Sequence, residues 1–227
     1  MRNLIHMAFD PACRFVRLAL AEKGLATAFI EKAPWDDPAG DIAALNPAGT
    51  IPILVDEPPT GGSITIAPAI VIAEYLEEAY GASALYPQTS ASRAECRRLL
   101  FWFFETFERD VGVPLIREQI DKRLMRAGAA DFDQLRDGRK ALDWHLDYFA
   151  WLLEQRTWFA DEQMTIADFA AAAYISTLDY LDAILWSEQP ILKEWYMRIK
   201  SRPSFRPLLA DRLDGIPPPR QYAELDF

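Results

Sequence analysis

Apolar positions in the first third of the chain switch between two periods. Asn3 to Ala8 reads as a short strand, and from Pro11 to Lys23 the residues Phe15, Val16, Leu18, Ala19 and Leu20 recur at helical spacing until Gly24 closes the helix. Thr27 to Glu31 returns to strand. After a stretch without a strong period, Ile53 to Val55 and Ser63 to Ile66 read as two strands on either side of a Pro-Pro-Thr-Gly-Gly turn, an antiparallel hairpin, and Pro68 to Tyr80 reads as an amphipathic helix. Beyond Ser90 every strong pattern is helical: Ser92 to about Arg126, Phe132 to Gln155, Ile166 to Tyr180, Ile191 to Lys200, and a short last helix over Pro203 to Leu213. Pro114 has no amide donor and clashes with the preceding turn, which predicts a kink after Val113. Thr165 is placed to cap the third of these helices, with Asp168 reaching back and Met164 stapling against Phe169.

The order strand, helix, strand, short segment, strand, strand, helix is that of a thioredoxin-like domain. The pattern therefore predicts an α+β chain: a thioredoxin-like domain over residues 1–85 with a mixed four-stranded sheet and helices, an all-α helical-bundle domain over 86–213, and a Pro-rich tail over 214–227. Composition adds exclusions. The 227 residues are 51% hydrophobic and 26% charged, an ordinary composition for a chain with a sizeable core. A net charge of −10 argues against a general nucleic-acid or anionic-membrane surface. Without a signal-peptide pattern, or an apolar run near the roughly 20 residues that span a bilayer, the expectation is a cytoplasmic protein with no membrane insertion. Cys13 and Cys96 fall in different predicted helices, which speaks against a disulfide framework, and with only His6 and His145 beside them no metal-ligand spacing exists. His145, flanked by Trp144 and Tyr148, reads as a packed histidine, and the aromatic run Phe101 to Phe107 as mostly core.

Three motifs carry chemistry or its absence. Leu45-Asn46-Pro47-Ala48-Gly49-Thr50-Ile51-Pro52-Ile53-Leu54-Val55-Asp56 fits a tight loop feeding a strand through an X-Pro bond, with Pro52 a candidate for the cis form and the isomer left open. The others are Asp10-Pro11-Ala12-Cys13-Arg14-Phe15-Val16-Arg17 and Ile72-Ala73-Glu74-Tyr75-Leu76. At these separations, with the Thr165/Asp168 capping box, they resemble the glutathione transferase superfamily over roughly residues 1 to 213. The resemblance implies the two-domain glutathione-transferase fold and a homodimer. It also implies that the residue before Pro11 should be the Ser or Cys that engages the glutathione sulfur at a helix N-terminus. Here it is Asp10, which as a carboxylate only accepts hydrogen bonds and beside a thiolate would raise the thiol pKa. Asp before Pro is a good N-cap, the reading preferred for it. The acid-Ser pair that holds the γ-glutamyl end in relatives is replaced by Pro68 and Ala69, neither of which offers a side-chain hydrogen bond. What the resemblance leaves is the backbone of Ile51, which pairs with the cysteinyl part of the peptide in relatives. No catalytic residue is assigned, and glutathione binding is expected to be weak or absent. Cys13 holds the second Cys position of a C-x-x-C whose first Cys is lost, and reads as a buried structural thiol.

The degraded ligand site, the tail and Glu31-Lys32-Ala33-Pro34-Trp35 resemble a branch of this superfamily in alphaproteobacteria whose members bind FtsZ filaments in cell division. That branch uses the groove between its domains and its extreme C-terminus. It implies FtsZ as partner, with localisation at the division site. Trp35 is either a lid or an exposed anchor, and Arg136, Arg139 and Lys140 at i, i+3, i+4 form a basic strip that could meet an acidic partner. Beyond the extended proline spacer, Tyr222, Leu225, Asp226 and Phe227 form an acidic and aromatic hook that either folds back or binds the partner. Two alternatives stay open. One is an active glutathione transferase that conjugates electrophiles, with Asp10 tolerated; the other is a stress-response adaptor of RNA polymerase on the same fold, which the tail does not favour.

Overall fold

The computed structural model describes residues 2–58 and 61–225. The chain divides into two compact units, one ending at Leu85 and one beginning at Tyr86. The first is built on a four-stranded sheet in the order β2-β1-β3-β4, with β1 Asn3–His6, β2 Ala28–Glu31, β3 Ile53–Asp56 and β4 Ile64–Ile66. β1 runs parallel to β2 and antiparallel to β3, and β4 closes the hairpin with β3. Side chains alternate across such a sheet. In the β1/β3 register, Leu4 opposes Leu54 and Ile5 opposes Ile53. The two pairs therefore face opposite sides; Ile5 and Ile53 gather with Ile42 of α2 (Asp41–Leu45) in one core cluster. α1 (Pro11–Glu22) packs against α3 (Ala69–Ala79).

α2 has no apolar period of its own, since its five residues carry one buried apolar side chain, Ile42. It forms because Asp37 supplies the missing cap: its carboxylate accepts from the Asp41 and Ile42 amides at 3.1 and 2.8 Å. Lys32 bridges Asp37 and Asp41 at 2.6 and 2.8 Å, fixing this cap to the end of β2.

The second unit is helical throughout. α4 (Ser90–Phe101) runs without interruption into Trp102–Asp121, and then into a last turn, α5 (Lys122–Leu124). The middle stretch is wound with the wider π spacing; its end shows this directly, where the Lys122 amide reaches the Arg117 carbonyl five residues back. Its buried residues Phe103, Phe107, Val111 and Leu115 recur every four positions, and Gly112, Ile116 and Ile120 form a second row at the same step, the face a π period places inward. Helical winding thus continues through Pro114, where the sequence predicted a kink in an α-helix. Gly138 on α6 (Phe132–Gln155) lets this segment approach, since a Cβ there would sit 2.9 Å from the Pro114 ring and 3.0 Å from Leu115 Cδ2.

All fifteen residues of α7 (Ile166–Tyr180) are buried, so it forms the axis of the unit. Its start is the capping box expected from the sequence. Asp168 accepts from the Thr165 amide at 2.8 Å, and also from the Phe159 amide and the Trp195 indole, both at 3.0 Å. One carboxylate thus ties α7 to the loop before it and to α8 (Pro190–Lys200). A short 3₁₀ turn, Trp186–Glu188, precedes α8, and α9 (Arg206–Leu209) is shorter than the helix expected over Pro203–Leu213. The tail adds a helical turn that its prolines did not suggest, α10 (Arg220–Ala223).

Candidate functional site

The α1 N-terminus is where the resemblance places thiol chemistry. Asp10 sits in extended backbone as the N-cap, and Pro11 opens the helix. Its Oδ1 accepts from the Cys13 amide at 2.7 Å. The side chain is only 6% exposed and serves as an internal acceptor, with no proton to give a ligand sulfur. Cys13 is fully buried, its Sγ 3.4 Å from the Met7 amide. Beneath the same turn lie two buried arginines that the sequence reading passed over. Arg14 donates to the Ala8 carbonyl at 2.8 Å and stacks over Phe9, and Arg17 reaches the same carbonyl at 3.3 Å. Their positions inside an apolar helix face gave no signal that they would close the β1–α1 turn.

The proline loop is held by Asn46, whose amide donates to the Thr50 carbonyl and hydroxyl at 2.9 and 3.0 Å and whose Oδ1 accepts from Ala48. Ile51–Pro52 is cis, settling the isomer left open by the sequence. Ala67–Pro68 is cis as well, which the sequence reading did not anticipate. Pro68 caps α3 with no side-chain hydrogen bond, and Ala69 is buried at 3% exposure. Asp10, Cys13, Ile51, Pro52, Pro68 and Ala69 thus all lie in the first unit, on the turns that precede or open α1, β3 and α3. None presents a hydroxyl or an amine, and the one thiol among them, Cys13, is buried.

A second buried acid near this sheet was also missed. Asp56, at the end of β3, accepts from Tyr75 at 2.8 Å and Tyr80 at 2.6 Å, and Arg2 lies 3.1 Å from its other oxygen. Burial opposes ionisation, but the Tyr80 and Tyr75 hydrogen bonds and the Arg2 charge hold the carboxyl below its ordinary range. The same burial and the carboxylate push both phenols up. Tyr75 belongs to the motif at 72–76, so its role was visible as a pattern but not as a partner.

The partner-facing candidates divide. Trp35 is 37% exposed in the turn after β2, beside the Lys32–Asp37 bridge. The basic strip is largely neutralised: Arg136 pairs with Asp133 at 2.7 Å and Asp137 at 3.2 Å, and Lys140 lies 3.7 Å from Asp137. These acids lie within one turn of the strip and pair with Arg136 and Lys140, while Arg139 is exposed. Tyr222 is not a partner-facing residue. It is fully buried, donates to the Leu208 carbonyl at 2.9 Å and meets Tyr180 edge-on at 5.0 Å. Leu225 is 37% exposed, while Asp226 and Phe227 lie outside the described residues.

The fold-back of the tail has a buried ionic anchor. Lys200 and Asp179 are both fully buried and 3.5 Å apart, and Lys200 also donates to the Gln221 carbonyl at 2.9 Å. Asp179 further accepts from Trp186 at 2.8 Å and Tyr196 at 3.2 Å. Burial raises the Asp179 pKa and lowers that of Lys200 against their mutual attraction. Tyr180 donates to the Ile216 carbonyl at 2.7 Å and accepts from the Leu213 amide at 2.8 Å, which pins the segment before the prolines.

Profiles described as the glutathione S-transferase N-terminal and C-terminal domains match residues 11–79 and 113–203. FtsZ-localized protein A of Caulobacter vibrioides is 44% identical over 226 residues, covering 100% of this chain and 98% of that protein. The chain belongs to the glutathione S-transferase family. The structure described as FzlA from C. crescentus superposes with a TM-score of 0.95 at 43% identity, covering 100% of this chain and 99% of that one. A structure described as a glutathione S-transferase from Rhodospirillum rubrum F11 gives a TM-score of 0.94 at 44% identity, with full coverage of both chains. The Escherichia coli glutathione S-transferase GstB is more distant, 27% identical and covering 73% of this chain and 76% of its own length. The mixed sheet and helical unit expected from the sequence are thus those of the family. Within it the chain is a full-length relative of an FtsZ-localized protein. Among the described residues no helix is long and apolar enough to cross a membrane.

Proposed function

We propose that the chain is a non-catalytic glutathione-transferase fold that binds FtsZ and regulates bacterial cell division, as a homodimer in the cytoplasm at the division site. The observation that carries this reading is the 44% identity to FtsZ-localized protein A over the whole chain, tail included. The α1 N-terminus supports it, because Asp10 is committed to the Cys13 amide. Pro68 and Ala69 add no group for a peptide's charged end, so glutathione binds weakly or not at all. Trp35, Leu225, Asp226 and Phe227 are the proposed partner contacts, and the anchored Tyr222 lies three residues before Leu225 in the chain. In the second reading the chain is an active transferase; its support is the 44% identity to the Rhodospirillum rubrum protein described as one.

Calorimetry separates the two. Millimolar glutathione titrated into the protein should give no saturable heat, while FtsZ should. Saturable glutathione binding tighter than about 1 mM, roughly 4 kcal/mol, together with turnover of a chloronitrobenzene, would establish the transferase reading instead.

A further inference from the structure

One buried ionisable group of the second unit is used by neither the glutathione site nor the tail. His145 on α6 is 1% exposed. Its ring packs edge-on against Trp102, Phe107 and Trp144, with centroids 5.6, 5.0 and 4.9 Å away, and lies tilted against Phe149 at 6.0 Å. Both of its nitrogens have partners. The Trp102 indole N–H donates to Nδ1 at 3.3 Å, and Nε2 lies 3.4 Å from Asp110 Oδ2.

The contact with Trp102 fixes the charge of the ring. An indole nitrogen only donates, so Nδ1 keeps its lone pair and the single proton sits on Nε2, facing Asp110. An imidazolium carries a hydrogen on both nitrogens, and two N–H groups would then point at each other across 3.3 Å. Trp102 has to turn away to relieve this, and it does not turn alone. Its ring stacks on Trp144 at 6.0 Å and leans on Tyr148 at 4.7 Å, and Tyr148 stacks on Trp151 at 6.1 Å. Trp144 and Trp151 stand half exposed in the single chain, apolar surface that a second copy would cover.

Few charges act on the ring. Asp110 favours the imidazolium, and Arg109, 2.7 Å from Asp110, opposes it. On α6 its neighbours are aromatic, while Asp143 and Asp147 are exposed. Arg98 of α4 is held by Glu95 and the Tyr148 hydroxyl, and Tyr174 of α7 gives its hydroxyl to Glu108. Burial outweighs Asp110 and lowers the His145 pKa. A histidine with a depressed pKa supports the fold fully above its unfolded value, near 6.5, and that support is lost as pH falls through the folded value.

We propose that His145 is an acid-sensitive switch beneath this aromatic face: protonation breaks the Trp102 hydrogen bond and loosens the packing of Trp102 on Trp144 and Tyr148. The neutral imidazole is the form that keeps the face assembled. Acid therefore also weakens the pairing of two copies, a consequence that rests on the homodimer reading.

The test is an NMR titration of the full chain from about pH 8 to about pH 4.5, following the imidazoles and the tryptophan indoles. The chain has two histidines, so the resonance missing in His145→Asn identifies His145, and the indole missing in Trp102→Phe identifies Trp102. His145 should titrate below about 6.5, and the Trp102 indole N–H should move with the same midpoint. Trp102→Phe, which keeps a ring but removes the donor, should raise the His145 midpoint by about one unit, and Asp110→Asn should lower it. In analytical ultracentrifugation the wild-type dimer should weaken at that midpoint, whereas His145→Asn, an acceptor that does not titrate, should hold its dimer over the same range. A Trp102 indole unmoved by the His145 titration, or a midpoint unchanged in Trp102→Phe, would overturn the proposal. So would a His145→Asn dimer that dissociates at the wild-type pH. A chain that is monomeric throughout, but whose Trp102 indole follows His145, would support the switch and refute the homodimer.

Discussion

Replacing Tyr222 should release the tail while leaving the helical unit folded. Its ring is fully buried against Tyr180, and its hydroxyl donates to the Leu208 carbonyl at 2.9 Å. Removing a buried aromatic ring costs about 3–5 kcal/mol, and losing one neutral hydrogen bond about 1 kcal/mol. The tail retains the Lys200 bond to the Gln221 carbonyl and the Gln221 bond to Asp182, so the loss falls on a segment that is still tethered. The amides of Tyr222 and Glu224, bonded to the Pro219 and Gln221 carbonyls, report its opening. Native-state hydrogen exchange should accelerate at both by about a thousandfold to ten-thousandfold in Tyr222→Ala and about fivefold in Tyr222→Phe. Amides within α7 should change far less. Unchanged tail exchange in Tyr222→Ala would refute the anchoring argument. Equal acceleration in α7 would show that Tyr222 supports the whole unit instead.

Gly138→Ala gains helix propensity of about 1 kcal/mol but drives a methyl to 2.9 Å from the rigid Pro114 ring, so the melting temperature should fall by several degrees. Asp10→Ser keeps an equally good N-cap, so thermal stability should stay within about 0.5 kcal/mol. Calorimetry should still find no tight glutathione binding in that variant, because Pro68 and Ala69 are unchanged. Asp56 has its pKa depressed in the fold, so its stabilisation is present above the unfolded carboxyl pKa, near 4, and is lost as pH falls through the folded value. Asp56→Asn should therefore cost about 2 kcal/mol at neutral pH, and its denaturation curves should lose stability less steeply than wild type below about pH 4.

The strand and helix order was legible because it rests on period, and the sheet, the long helices and the Thr165/Asp168 box follow it closely. What escaped was set by partners outside the periodic pattern, some of them a few residues away and some distant in sequence. α2 depends on Asp37 accepting two amides, a signal carried by a residue outside the helix. The π winding shows only in the spacing of Phe103, Phe107 and Val111, which four-residue steps also allow in an α-helix. Whether Tyr222 folds back or faces a partner stayed open in the sequence because nothing local places Lys200 and Leu208 around it. Arg136 looked like a basic patch because only its cationic neighbours were counted. The site residues of the first unit fared differently. Asp10 and Pro68 were informative from identity alone, since a carboxylate acceptor and a proline imide have fixed hydrogen-bonding capacity wherever the fold puts them.

The most direct test of the account is co-sedimentation of the full chain with FtsZ polymers assembled in GTP, with GDP as the unpolymerised control. The protein should pellet saturably with the polymers, and glutathione at millimolar concentration should not displace it. Removing residues 223–227 should weaken pelleting while leaving the Tyr222 anchor in place. A chain that stays in the supernatant with and without polymer, or that is displaced by glutathione, would contradict the claim that this fold works through a protein partner.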